Sequence, residues 1–343
     1  MESFSCDRER GQVLALCSVF LVVLLGFAAM AVDVGSWYVE KHKLQSAADA
    51  AALAGAGHLP AGFAIAQATA SAQFNKNKTS GDAAAITNVT TNTANDTVQV
   101  IATGTAPSFF AKVFGHDQTN LRVTAKAVIR TVTSFSSTGN VMPFGVMKGS
   151  YTPGTSYTIY GDGSSSNNGA LSLDIISGSN CATVNGSNEV KDTITGADIA
   201  CPITVADTAS VKTGNNTGPI AQGLNSRMSG GWQTFNQIVS SVGNGLYEVK
   251  DWTSKQLVVI PIVTNLQNGT TWPQGSNDEI RVVGFAYFVI TGCGNPTKPG
   301  PCTNSDGKYV NGTFVDLVDA STVPDTGAWD PNAGSITHIQ LSE

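Results

Sequence analysis

Residues 8–57 read RERGQVLALCSVFLVVLLGFAAMAVDVGSWYVEKHKLQSAADAAALAGAG. From Val13 to Val32 the chain is uncharged and mostly apolar. At about 1.5 Å of rise per helical residue, this run reaches roughly 30 Å, the thickness of the hydrocarbon layer of a bilayer. The run therefore predicts a transmembrane helix over residues 13–32, preceded by a short tail, residues 1–12.

The helical pattern continues past Asp33. Apolar residues recur at helical spacings of three, four and seven, so they form one stripe: Val34, Trp37, Leu44, Ala48 and Ala51. We therefore predict one helix that crosses the membrane and continues beyond it. Trp37 and Tyr38 follow the apolar run by about one turn, which suits the lipid–water boundary.

The end of this helix is rich in alanine, and two interpretations of it stay open. Small residues let helix backbones approach closely, so Ala47, Ala48, Ala51 and Ala52 are candidate helix-packing residues. They could pack against the helix of a neighbouring subunit, which would give lateral self-association. Alternatively, they pack onto a sheet of the same chain.

Three segments together carry a family resemblance: Arg10–Val13, Ala31–Gly35 (AVDVG) and Leu44–Ala54 (LQSAADAAALA). In this order around an apolar run, they resemble the N-terminal module of TadE/TadG-like proteins of the tight-adherence (Flp) pilus assembly system. A looser resemblance to TadG-related proteins continues in the second half, at Val141–Phe144, Thr213–Pro219 and Val283–Ala286.

The resemblance implies a component of Flp pilus assembly that acts structurally, as an assembly factor or a minor pilin-like protein. The implied partners are the lipid bilayer and other Tad/Flp pilus proteins or pseudopilins. Two rival classes stay open, a surface-anchored adhesin or binding protein and an extracytoplasmic hydrolase.

The N-terminal stretch also permits three other interpretations. Ala29 and Ala31 satisfy the small-x-small rule for signal peptidase, and cleavage there would release a chain beginning at Val32. Prepilin processing after Gly11 lacks the expected glutamate, because Leu16 occupies that position. A generic single-pass anchor without a pilus connection is the third.

The composition indicates an extracytoplasmic surface. Only 13% of the 343 residues are charged, and the net charge is −6. Nucleic acid is therefore not an expected partner, because phosphate binding needs clustered lysine and arginine.

Four of the six cysteines form two local pairs, Cys181 with Cys201 and Cys293 with Cys302. Without a CxxC spacing, such pairs predict disulfides in an oxidising compartment rather than metal ligands. The tail would then lie in the cytoplasm, with everything after Asp33 outside the inner (cytoplasmic) membrane.

Residues 33–133 are predicted to form a small pilin-like module, a helix packed on an antiparallel sheet. The predicted elements are helices over 61–74 and 106–114 and strands over 86–91, 97–103 and 121–133. Residues 134–140 are an expected linker.

Residues 141–343 predict a β-rich domain, sandwich-like or barrel-like, which makes the whole chain α+β. The clearest strands are expected over 155–160, 170–176, 256–263, 279–290 and 312–317, with 279–290 central. Residues 218–228 are the one helical stretch expected, because Ile220, Leu224 and Met228 lie one turn apart.

Asp162, Ser164 and Ser166 spell D-x-S-x-S, a weak metal-site candidate. Its flanks predict a polar turn between strands, whereas the site would need a strand before it and a helix after it. The histidines are dispersed, and no nucleophile elbow or phosphate loop occurs. We therefore expect neither a cofactor nor an enzymatic activity.

Overall fold

In the computed structural model, the chain forms two compact units. The first contains residues 1–56, 63–128 and 341–343, and the second contains residues 57–62 and 129–340. The residues that the structure describes are 7–78, 83–135, 141–149, 151–160, 168–172, 189–196, 203–212, 216–243, 246–267, 269, 271–273, 279–294, 300–302, 309–317, 326–327 and 336–342.

The first unit is dominated by helix α1 (Asp7–Gly57), 51 residues long. It is followed by a 3-10 turn (Leu59–Ala61) and helix α2 (Phe63–Asn77). Strands β1 (Ala85–Thr91), β2 (Thr97–Pro107) and β3 (Gln118–Val132) form an antiparallel sheet in the order β1-β2-β3. The predicted long helix and antiparallel sheet are confirmed.

Helix α1 packs on this sheet and on α2. A Cβ atom on Gly55 would lie 3.1 Å from Ala70 Cβ on α2 and 3.2 Å from Val98 Cγ1 on β2. The Gln45 Nε2 group also donates to the Thr124 carbonyl on β3, at 3.1 Å. The core of the first unit therefore lies between α1, α2 and the sheet.

The predicted helix over 106–114 is wrong in most of its length. Residues Thr97–Pro107 are strand β2, and Pro107 pairs with Gln118 of β3. Only Ala111–Phe114 is helical, as a 3-10 turn in the loop that joins the two strands. Alternation in β2 continues to Ala106, which is fully buried, so burial favours the strand over the helix that Pro107 suggested.

The second unit is mainly β. Its strands are β4 (Ser134–Phe135), β5 (Phe144–Met147), β6 (Ser156–Tyr160), β7 (Asn168–Ser172), β8 (Ile203–Thr204), β9 (Thr208–Val211), β10 (Val239–Gly243), β11 (Leu246–Val249), β12 (Leu257–Asn265), β13 (Glu279–Cys293), β14 (Val310–Leu317), β15 (Thr326–Gly327) and β16 (Thr337–Leu341). Its helices are α3 (Glu189–Thr195), α4 (Thr217–Arg227) and α5 (Phe235–Ile238). The short strand β15 pairs with Thr131 and Val132, the last residues of β3, which belong to the second unit.

Five strands close into a small barrel, because β13 pairs with β12 and β9, and the ring is completed through β5 and β7. The expected barrel-like β domain is confirmed. One buried cluster draws side chains from all five strands and includes Trp272, so it lies inside the ring. The Trp272 indole lies against Gly145 and Gly169. A Cβ atom at either position would lie too close to the indole ring.

Beyond the barrel, the later part of β13 continues into an open sheet. Its residues Tyr287–Cys293 pair with β14, which in turn pairs with β6 and β11. Strand β13 is therefore central, as predicted. A second buried cluster, which includes Ile194 of α3 and Leu224 of α4, covers the other face of β12 and β13.

Two other expectations for the second half need correction. Helix α4 lies where residues 218–228 predicted it, but α3 and α5 show that it is not the one helical stretch. Of the expected linker, 134–140, the first two residues form β4, which is buried and pairs with β8. Residues 136–140 lie outside the described residues.

Candidate functional site

The first candidate feature is the exposed apolar part of α1, residues 13–32. From Val13 to Val32 every residue except the half-buried Ala29 is exposed, and none of the most apolar window is buried by the rest of the protein. Within the described part of the chain, this is the one helix long and apolar enough to cross a membrane. It fits a single-pass membrane anchor.

Asp33, the next residue, is only 2% exposed. Its carboxylate accepts hydrogen bonds from three consecutive backbone N–H groups. Phe109 donates to Oδ1 at 2.7 Å, Phe110 donates to both oxygens at 3.1 Å, and Ala111 donates to Oδ2 at 2.6 Å. A carboxylate at the end of the apolar run thus fixes the β2–β3 loop to α1.

The loop that Asp33 holds is closed by its own backbone. The Ser108 N–H donates to the Asp117 carbonyl at 3.0 Å, and the His116 N–H donates to the Ala111 carbonyl at 3.1 Å. Gly115 has φ +83°, a left-handed conformation in which glycine is favoured, and it ends the 3-10 turn. These bonds give the loop a defined shape.

The same loop exposes apolar side chains. We name residues 109–114 the aromatic turn. Phe114 is 83% exposed and Val113 is 82% exposed, and Phe109 and Phe110 are also among the exposed large apolar residues. Sequence analysis missed this turn and the role of Asp33. The available signals were a charge placed directly after the span and an apolar run, SFFAKVF, with no strand alternation.

The predicted membrane-interface pair lies one turn further along α1. Tyr38 is exposed, and its ring contacts the His42 ring edge-on, with 4.6 Å between centroids. Trp37 is half-buried, and within the described part of the chain its Nε1 atom is buried without a hydrogen-bond partner. The two rings therefore face different surroundings.

The four candidate helix-packing alanines are in the core of the first unit. Ala48, Ala51 and Ala52 are completely buried and Ala47 is nearly so. The structure thus selects packing within the same chain. Because the same chain covers their surface, these alanines are not exposed to a neighbouring subunit's helix in this structure.

One of the two predicted disulfides lies within the described residues. Cys293 and Cys302 are bonded, with their Cα atoms 4.8 Å apart, and both are buried. Cys181 and Cys201 lie outside the described residues, while Cys17 is a free, exposed thiol in the apolar segment.

Asp162, Ser164 and Ser166 also lie outside the described residues. In the part of the chain that is described, no group of three or more His, Cys, Asp or Glu residues could hold a metal ion. The described residues include several ionisable groups in unusual settings, among them Glu189 and Asp316.

The Glu189 carboxylate, on the first turn of α3, is buried and accepts a hydrogen bond from the Lys212 ammonium group at 2.6 Å. Asp316, on β14, has no such cation among the described ion pairs, and burial raises the pKa of its carboxyl to about 6. Both groups belong to the packing of the second unit.

Comparison with known proteins supports the interpretation of the N-terminal segment. Residues 11–58 match the Tad family model, described as Flp pilus-assembly TadE/G-like. No curated protein and no solved structure matches the chain. The matched segment covers the exposed apolar part of α1, Asp33 and the buried alanines, so the similarity to this family lies in the N-terminal segment of the chain.

Proposed function

We propose that this protein is a membrane-anchored structural component of Flp-type pilus assembly, acting as an assembly factor or a minor pilin-like subunit. The observation that carries the proposal is the family match over residues 11–58. Residues 11–57 belong to one helix, which is exposed from Val13 to Val32 apart from the half-buried Ala29 and packs one face into the first unit from Asp33 onward.

In this proposal the tail lies in the cytoplasm, and both units lie outside the inner membrane. The Cys293–Cys302 disulfide supports this orientation, because structural disulfides persist in oxidising compartments. The function is then positional: lipid insertion and helix packing hold the two units at the membrane where the filament is built.

A partner helix would need a free face of α1. The alanine stripe is used internally, so the available face is the exposed one beyond Asp33, at helical spacing: Gly35, Tyr38, Val39, His42 and Ser46. We propose that other pilus-system proteins pack against this face.

The test is site-specific photocrosslinking in cells that assemble the pilus. Benzoylphenylalanine at Val39 or His42 is expected to give covalent adducts with other pilus-system proteins. The control is the same probe at Trp252, an exposed residue of the second unit outside the proposed face. Adducts at Val39 and His42 only with proteins unrelated to the pilus would contradict the proposal.

A further inference from the structure

The aromatic turn, residues 109–114, is unusual for a loop of a folded unit. Its four large apolar side chains, Phe109, Phe110, Val113 and Phe114, are about half to four-fifths exposed. Apolar surface of this kind marks an interaction site when it is contiguous. Here the side chains lie within six consecutive residues that are held in one conformation.

The aromatic turn lies next to the end of the apolar segment of α1, which indicates a lipid bilayer as its partner. Asp33 directly follows Val32, the last residue of the apolar run, and its carboxylate bonds the backbone of residues 109–111. The aromatic turn therefore lies beside the last turn of the lipid-facing helix. In that last helical turn, Met30 and Val32 are also exposed apolar residues.

The side chains of the aromatic turn also suit contact with a lipid bilayer. Phenylalanine rings and a valine contribute apolar surface, while the Lys112 side chain is 68% exposed and only 4.0 Å from Asp117. A lysine can place its stem along lipid chains and its ammonium group among the headgroups. Amphipathic segments of this kind bind at the boundary between headgroups and acyl chains.

We propose that the aromatic turn inserts into the headgroup–acyl boundary of the leaflet on the side of the first unit. The first unit would then be attached to the bilayer at two places, α1 and the aromatic turn. Two attachments restrict the tilt and rotation of this unit about the helix. The proposal rests on the membrane anchor and is independent of the pilus role.

Photocrosslinking of the full-length chain in nanodiscs of phosphatidylcholine and phosphatidylglycerol tests this proposal. Benzoylphenylalanine replaces Phe114, whose exposure makes the substitution easy to tolerate, and lipid adducts are measured by mass spectrometry. Leu25, in the anchor, is the positive control. The negative control is Ala94, in the β1–β2 turn at the opposite end of β2, roughly 30 Å from the aromatic turn.

We expect the lipid-adduct yield at Phe114 to approach that at Leu25 and to exceed that at Ala94 by about tenfold. A yield at Phe114 equal to that at Ala94, with Leu25 labelled, would overturn the proposal. So would adducts at Phe114 formed mainly with a second copy of the chain. Absence of lipid adducts at Leu25 would instead overturn the membrane anchor, and this proposal with it.

Discussion

Asp33 shows what can and cannot be learned from one residue in a sequence. Its charge marks the end of the apolar run, and that end was predicted. Its partners, residues 109–111, lie 76 to 78 positions away in the chain. A local sequence pattern cannot predict contacts over such a distance in the chain. The hydrogen bonds by which Asp33 joins the helix to the loop are therefore seen only in the folded structure.

Removing the Asp33 carboxylate should loosen the aromatic turn. In Asp33→Ala three backbone N–H groups lose their acceptor, whereas in Asp33→Asn the amide oxygen can still accept some of these bonds. Hydrogen exchange at residues 109–111 should therefore be fastest in the alanine variant, intermediate in the asparagine variant and slowest in the native chain. Exchange at residues 98–102 of β2 serves as the control, and an equal acceleration there would argue for general unfolding instead.

Asp316 makes the stability of the second unit depend on pH. Because burial raises its folded pKa to about 6, above the unfolded value near 4, the protonated form is favoured in the fold. The resulting stabilisation is fully present below about pH 4 and is lost as the pH rises through 6.

The variant Asp316→Asn removes this titration. We expect it to be more stable than the native chain at pH 8 by about 3 kcal/mol, and to differ little at pH 4. Thermal unfolding across this pH range measures the difference. An identical pH profile for the two proteins would show that Asp316 is not the group responsible.

At the scale of elements, periodic patterns were reliable where they were long. The apolar run and stripe predicted α1. Alternation predicted the long strand β3, and a nearly continuous run of apolar and β-branched residues predicted β13. The sequence did not predict which element would cover the alanine stripe. Small residues allow close packing both against a neighbouring subunit's helix and against a sheet of the same chain. Helices α3 and α5 are seven and four residues long, too short for a helical period to be distinguished.

Because the alanine stripe is buried, replacement by leucine should lower the stability of the first unit much more in the stripe than on the exposed face of the same helix. Ala48→Leu adds a large side chain to a packed core, so we expect it to destabilise the first unit by about 1–3 kcal/mol. Ser46→Leu is the matched control, because Ser46 is exposed on the same helix, and its effect should stay within about 0.5 kcal/mol. Equal tolerance of the two variants in thermal unfolding would mean that the stripe is not internal.

At the scale of the whole molecule, the sequence predicted the α+β class and a β-rich second half with barrel-like character. It could not predict which strands close the barrel. That closure pairs β9 with β13 and β5 with β12, segments separated by some seventy to more than one hundred residues. Such pairings depend on the three-dimensional arrangement of all five strands, which no local period encodes.

The central claim is that α1 stays intact, anchored in lipid by residues 13–32 and packed into the first unit beyond Asp33. The most direct test is the intact mass of the mature protein in carbonate-washed membranes and in the soluble fraction. We predict a membrane-bound chain that still contains Val13–Val32. A soluble chain that begins at Val32 would contradict the account.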